Sequence, residues 1–117
     1  MSTVRKDYGA LQEIYVGTTK AFVVTVIDPE TGMPKDLRNA AIYHTARFRI
    51  LNASFREVGG IIDVKFTDRE TGMIQYTVPT SITVPENAGN HIGNIEFLNI
   101  DNQIIDQQLV NFNILEN

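Results

Sequence analysis

The chain has no cysteine and no tryptophan, only two histidines, and no long uncharged apolar run in its 117 residues. Without cysteine there is neither a disulfide framework nor a thiolate nucleophile, and two histidines give little material for a zinc site. No stretch approaches the roughly 20 apolar residues that a membrane-spanning helix requires, and the opening MSTVRKDYGALQ lacks the apolar core of a secretion signal. No membrane partner is expected, and the chain should be made and kept in solution. Positive charge is also short: 10 basic against 14 acidic residues leave a formal charge of −4, so a general attraction to nucleic acid or anionic lipid is not expected.

What is present is an ordinary globular composition, 43% hydrophobic and 21% charged, enough for one core. Apolar residues alternate at period two, which places side chains on opposite faces of strands. Over residues 20–28, Phe22, Val24 and Val26 share one face and Val23, Thr25 and Ile27 the other, the pattern of a central strand. Over 41–51 the inward set is Ile42, Ala46, Phe48 and Ile50, with Tyr43, Thr45, Arg47 and Arg49 outward. Further runs point Ile62, Val64 and Phe66, then Ile74, Tyr76 and Val78, and finally Val110, Phe112 and Ile114 inward. With strands near residues 11–16 and 91–100 the count reaches about seven. In the latter, Ile95 and Phe97 share a face that Leu98 breaks, and a β-bulge reconciles them.

Short strands separated by turn chemistry predict an all-β, antiparallel sandwich over residues 11–117, preceded by a flexible arm over residues 1–10. One hexapeptide occurs almost twice, Asp28–Met33 as DPETGM and Asp68–Met73 as DRETGM, forty residues apart. The flanking sequences do not match, and a glycine following Asp, Glu and Thr suits a reversal that needs one residue at positive φ. Both are expected to be turns and not ligand loops. Each offers two carboxylates and a hydroxyl, short of the six to eight oxygens of a calcium site. No metal or other cofactor is expected.

A catalytic set is hard to assemble. Ser2, Ser54 and Ser81 sit in tail or loop contexts without a strand-to-helix nucleophile elbow. His44 shares a face with Ala46 and Phe48 at the margin of the core, His91 reads as an exposed turn position, and EVGGII lacks the lysine of a phosphate loop. The chain is expected not to be an enzyme. Association is the better prospect: Arg47, Arg49 and Lys65 form a basic stripe beside Tyr43 that suits either solvent or an acidic partner. Ile61, Ile105 and Leu109 are apolar residues on nominally outward positions, and Arg5 and Tyr8 lie in the arm.

The stretch from Val16 to Ile42, with Gly17, Thr18 and Thr19 before the alternating run and Gly32, Pro34, Asp36, Leu37 and Ala40 after it, resembles the immunoglobulin-like N-terminal domain of phage baseplate upper proteins and of small phage tail proteins. DRETGMIQYTVP and the final AGNHIGNIEFLNIDNQIIDQQLVNF resemble that family's later turn and hairpin. Arg38 and Asn39 replace its usual Thr-Gly, and Asn102 and Gln103 stand where glycine is typical. The resemblance implies an immunoglobulin-like β-sandwich, a virion component of tail or baseplate made in the host cytoplasm, with other virion proteins and further copies of itself as partners. A carbohydrate- or receptor-binding module, and a head decoration or fibre protein, are the alternatives.

Overall fold

The computed structural model describes residues 3–116, and over residues 3–10 the backbone alone. Seven strands follow one another: β1 (Thr3–Tyr15), β2 (Lys20–Thr25), β3 (Thr45–Leu51), β4 (Ile62–Asp68), β5 (Met73–Val78), β6 (Gly89–Leu98) and β7 (Ile104–Leu115). Among the described residues the one helical element is a 3-10 turn at Pro85–Asn87. The strands form a single sheet in the order β1-β7-β6-β3-β4-β5-β2. It is continuous because β4 pairs with β3 through Ile62–Val64 and with β5 through Lys65–Asp68. The sheet curls until its two edges, β1 and β2, nearly meet. All neighbouring pairs are antiparallel except β1 with β7, which run parallel, so the sheet is mixed and not antiparallel throughout as expected.

Alternation does most of the building. Phe22 and Val24 of β2, Ala46, Phe48 and Ile50 of β3, Ile74, Tyr76 and Val78 of β5, and Val110, Phe112 and Ile114 of β7 all face one core. The ring of Phe48 stacks on Tyr76 at 4.1 Å and meets Phe112 edge-on at 5.7 Å. Gly93 of β6 makes room for that stack, since a Cβ there would lie 2.7 Å from the Phe48 ring and from Val110. The Tyr76 hydroxyl donates to the side-chain oxygen of Gln12 on β1. Burial holds this phenol above its ordinary range, an effect the Gln12 bond partly offsets.

Four expectations are corrected. Strand β2 is an edge, not central: among the described residues it pairs with β5 alone, and the second apolar face of its run is open, leaving Val23 57% exposed. The parity of β3 does not extend back to residue 42. Asn39 organises a turn there, accepting from the Ala41 amide on its side chain and from the Tyr43 amide on its carbonyl, so Ile42 turns outward and Tyr43 packs edge-on against Phe97. The same turn leaves His44 exposed, away from the core margin. The bulge exists, but its extra residue is on β7: Phe97 pairs with Asp106 and Leu98 with Ile104, and Ile105 between them packs against the core. The arm expected over residues 1–10 lies outside the described residues apart from the backbone from Thr3 onward, which runs beside β7.

The repeated hexapeptides both reverse the chain, each with its glycine at φ 71°. The Asp28 carboxylate accepts from the Glu30 amide at 2.9 Å, and the Thr31 hydroxyl from the Met33 amide at 3.2 Å. Asp68 accepts from the Thr71 amide at 3.4 Å in the β4–β5 hairpin. The two turns sit side by side. Val26 donates to the Gly72 carbonyl, and Leu37 to the Arg69 carbonyl, both at 2.8 Å, so the second turn is clamped by the segments flanking the first. Near the last turn Asn102 stands at φ 61°, accepting the left-handed conformation for which glycine is typical.

Candidate functional site

Strands β3 and β6 place Arg47 directly across from Glu96 on the outer face of the sheet, with Arg49 one pair further along. Both arginines lean onto the same carboxylate: Arg47 Nε donates to one oxygen at 2.7 Å and Arg49 Nη2 to the other at 2.9 Å. The Glu96 side chain is 1% exposed, whereas the arginines retain about 30%. The basic stripe read from the sequence is therefore largely neutralised from beneath, and Glu57 adds a further carboxylate 3.9 Å from Arg49. Glu96 gave no signal in the sequence, since a glutamate in an outward position of a strand reads as solvated. Burying it under two charge-assisted hydrogen bonds fixes the β3–β6 face as a rigid surface.

The arginines decide the energetics of this cluster. Removing a fully buried partner of an ion pair costs roughly 3–5 kcal/mol, but two part-exposed guanidinium groups regain water when released, so Glu96→Ala is expected to cost about 2 kcal/mol. Urea denaturation of Glu96→Ala, with Glu57→Ala as the exposed control near zero, measures this.

The basic stripe splits at its other end. Lys65, on β4, belongs to a cleft that opens where β4 leaves β3 for β5. It has a volume of 540 Å³ and an apolar floor of Ala46, Val64 and Phe66, with His44, Thr45, Asp63, Lys65 and Arg69 around it. Arg69 comes from the second hexapeptide, at the one position where the two differ, Pro29 standing in the first. Its guanidinium lies 3.9 Å from the centre of the Phe66 ring and donates to the carbonyls of Leu37 at 3.0 Å and Tyr43 at 2.8 Å. Among the described residues neither Lys65 nor Arg69 has a carboxylate partner. Sequence reasoning missed Arg69 because its motif is accounted for by turn formation alone.

A second groove of 440 Å³ follows the gap between the edges of β1 and β2, lined by Leu11, Gln12 and Glu13 on one side and Phe22, Val23, Val24 and Ile27 on the other. These strands are consecutive and joined by four residues, yet among the described residues no ladder connects them; the Lys20 ammonium reaches across to the Glu13 carbonyl at 3.2 Å. Both edges keep backbone groups open to a neighbour.

The remaining expected contact residues scatter. Ile61 is 55% exposed ahead of β4, Leu109 is half-buried across from Asn94, and Tyr43 and Ile105 serve the core. The side chains of Arg5 and Tyr8 lie outside the described residues. His91 is half-buried, with Nε2 2.6 Å from the Asn87 carbonyl, and not an exposed turn residue. At the turn end, hydrogen bonds from Arg38 hold the Asp36 carboxyl down to about 2. Among the described residues no three His, Asp or Glu side chains group as a metal ion would require.

No family model matches the chain, and no curated protein matches it. Fourteen solved chains do. One is described as the N-terminal domain of phage TP901-1 ORF48, similar with a TM-score of 0.64 at 12% identity, over 96% of this chain and 98% of that one. At that identity the likeness is one of fold.

Proposed function

We propose that the chain is a non-enzymatic structural protein of a phage virion, a tail or baseplate component that works by docking against other virion proteins and further copies of itself. The observation that carries this reading is the end-to-end likeness of its fold to a domain of a phage protein, with almost nothing left over on either chain. The stretch from Val16 to Ile42 supports it through its resemblance to the immunoglobulin-like domain of phage baseplate and tail proteins. In this reading the curled sheet is an immunoglobulin-like sandwich, with β1, β7, β6 and β3 as one layer and β2 and β5 as the other, and β4 crossing between them.

Docking needs rigid faces and open edges. The Glu96 cluster supplies the first, and the ends of the sheet at β1 and β2 the second. Phe55, 72% exposed at the tip of the β3–β4 loop, is the feature that speaks for a receptor- or carbohydrate-binding role instead. Quantitative mass spectrometry of gradient-purified particles separates these roles from a non-virion one. The chain is expected at a fixed ratio to the major tail proteins, and its absence from particles that contain those proteins overturns the reading.

A further inference from the structure

We propose that the cleft between β3 and β4 is a recognition site for an acidic side chain carried on an extended segment of a partner protein. Three observations converge there. The β3–β4 ladder ends at the pair Ala46 and Val64; beyond it β4 pairs with β5, and Thr45 of β3 keeps β6 as its single neighbour. The opening between diverging strands is therefore elongated and edged by backbone, the shape an extended segment fits.

Its charge is the second observation. Lys65 and Arg69 line the cleft with no carboxylate partner among the described residues, in a protein whose formal charge is −4. Of the other arginines with described side chains, Arg38, Arg47 and Arg49 are each paired with acids and Arg56 is not. Asp63 also lines the cleft, across from Arg47 on the neighbouring strand, and among the described residues it forms no ion pair with Lys65 or Arg69, so the charged lining is two cations against one carboxylate. His44 is exposed beside it.

Preorganisation is the third. Two carbonyls and the Phe66 ring fix the Arg69 guanidinium through Nη1, so little side-chain entropy is lost when its remaining N–H groups meet a carboxylate. The floor of Ala46, Val64 and Phe66 accepts the aliphatic part of a glutamate or an apolar neighbour in the segment. Charge complementarity thus selects an acidic occupant, and the apolar floor selects a peptide over a free anion. The proposal rests on the docking reading for the origin of the segment but not for the chemistry of the site.

The test uses the full chain labelled with 15N, titrated with a capped hexapeptide alternating glutamate and valine, with its glutamine counterpart, and with inorganic phosphate at matched ionic strength. The glutamate peptide is expected to give saturable amide shifts over residues 44–46 and 63–69. Losing the charge in the glutamine peptide, or reversing it in Lys65→Glu, is expected to weaken binding by about tenfold or more, the value of one charge-assisted hydrogen bond. Lys65 is exposed, so this variant stays folded; Arg69→Gln is read alongside it with its fold checked by the dispersion of the remaining amides. Equal binding of the glutamine peptide, shifts outside the cleft, or phosphate acting as strongly as the peptide overturns the proposal. None of these outcomes touches the presence of the chain in particles, so the two readings fail separately.

Discussion

Replacing Gly72 by alanine is expected to destabilise the fold by about 4 kcal/mol, while the same change at Gly32, in the matching position of the other hexapeptide, costs about 1 kcal/mol. Both glycines stand at φ 71°, so both substitutions strain the backbone alike. Their surroundings differ. A Cβ on Gly32 meets nothing within 4 Å, whereas one on Gly72 would lie 2.6 Å from the Lys35 carbonyl oxygen and 2.9 Å from that of Val26. Those atoms are backbone and cannot rotate away. Relieving the clash stretches the bonds from Val26 to Gly72 and from Leu37 to Arg69, which join the second turn to the first. Urea denaturation of the two variants side by side gives the difference directly. Equal losses would mean that the turns are not clamped together.

Phe48→Ala is expected to be as severe, about 4 kcal/mol, from the lost burial and the cavity left by a large side chain together with its aromatic contacts. Phe48 is fully buried where the two halves of the curled sheet meet, stacked on Tyr76 of β5 and edge-on to Phe112 of β7. Gly93 on the neighbouring strand offers no side chain to fill the space. A domain of this size is stable by about 5–15 kcal/mol, so the variant sits near the edge of folding. The midpoint of urea denaturation measures it, with Val23→Ala, an exposed apolar residue of the same sheet, as the control expected within about 0.5 kcal/mol of the parent.

Much of this architecture is legible in the amino-acid sequence, because period-two alternation is a local property. The seven strands and the inward sets around Phe48, Tyr76 and Phe112 follow from it. What alternation does not carry is order across the sheet. The run around Val24 has two apolar faces and reads as a buried central strand, yet β2 is an edge whose second face borders the groove toward Leu11. Nor does it show that β1 runs parallel to β7, a pairing between the two ends of the chain. Parity fails across a turn, which is why Ile42 and Tyr43 exchange faces once Asn39 caps the segment before β3.

The candidate sites were less legible for a related reason. Arg47 and Arg49 read as free surface charge because Glu96, forty-nine and forty-seven residues away, is brought beneath them by strand pairing alone. Arg69 hides in a motif already explained by turn geometry, and its grip on Leu37 and Tyr43 depends on the two hexapeptides lying side by side. In both cases the chemistry is set by a long-range contact that no window of sequence contains.

Hydrogen–deuterium exchange of the chain in assembled particles, compared with the free chain, tests docking most directly. The account predicts added protection over one contiguous surface, at the β3–β4 cleft or along the β1 and β2 edges, with core amides unchanged. Identical exchange patterns in the two states, for a chain held in the particle, would contradict it.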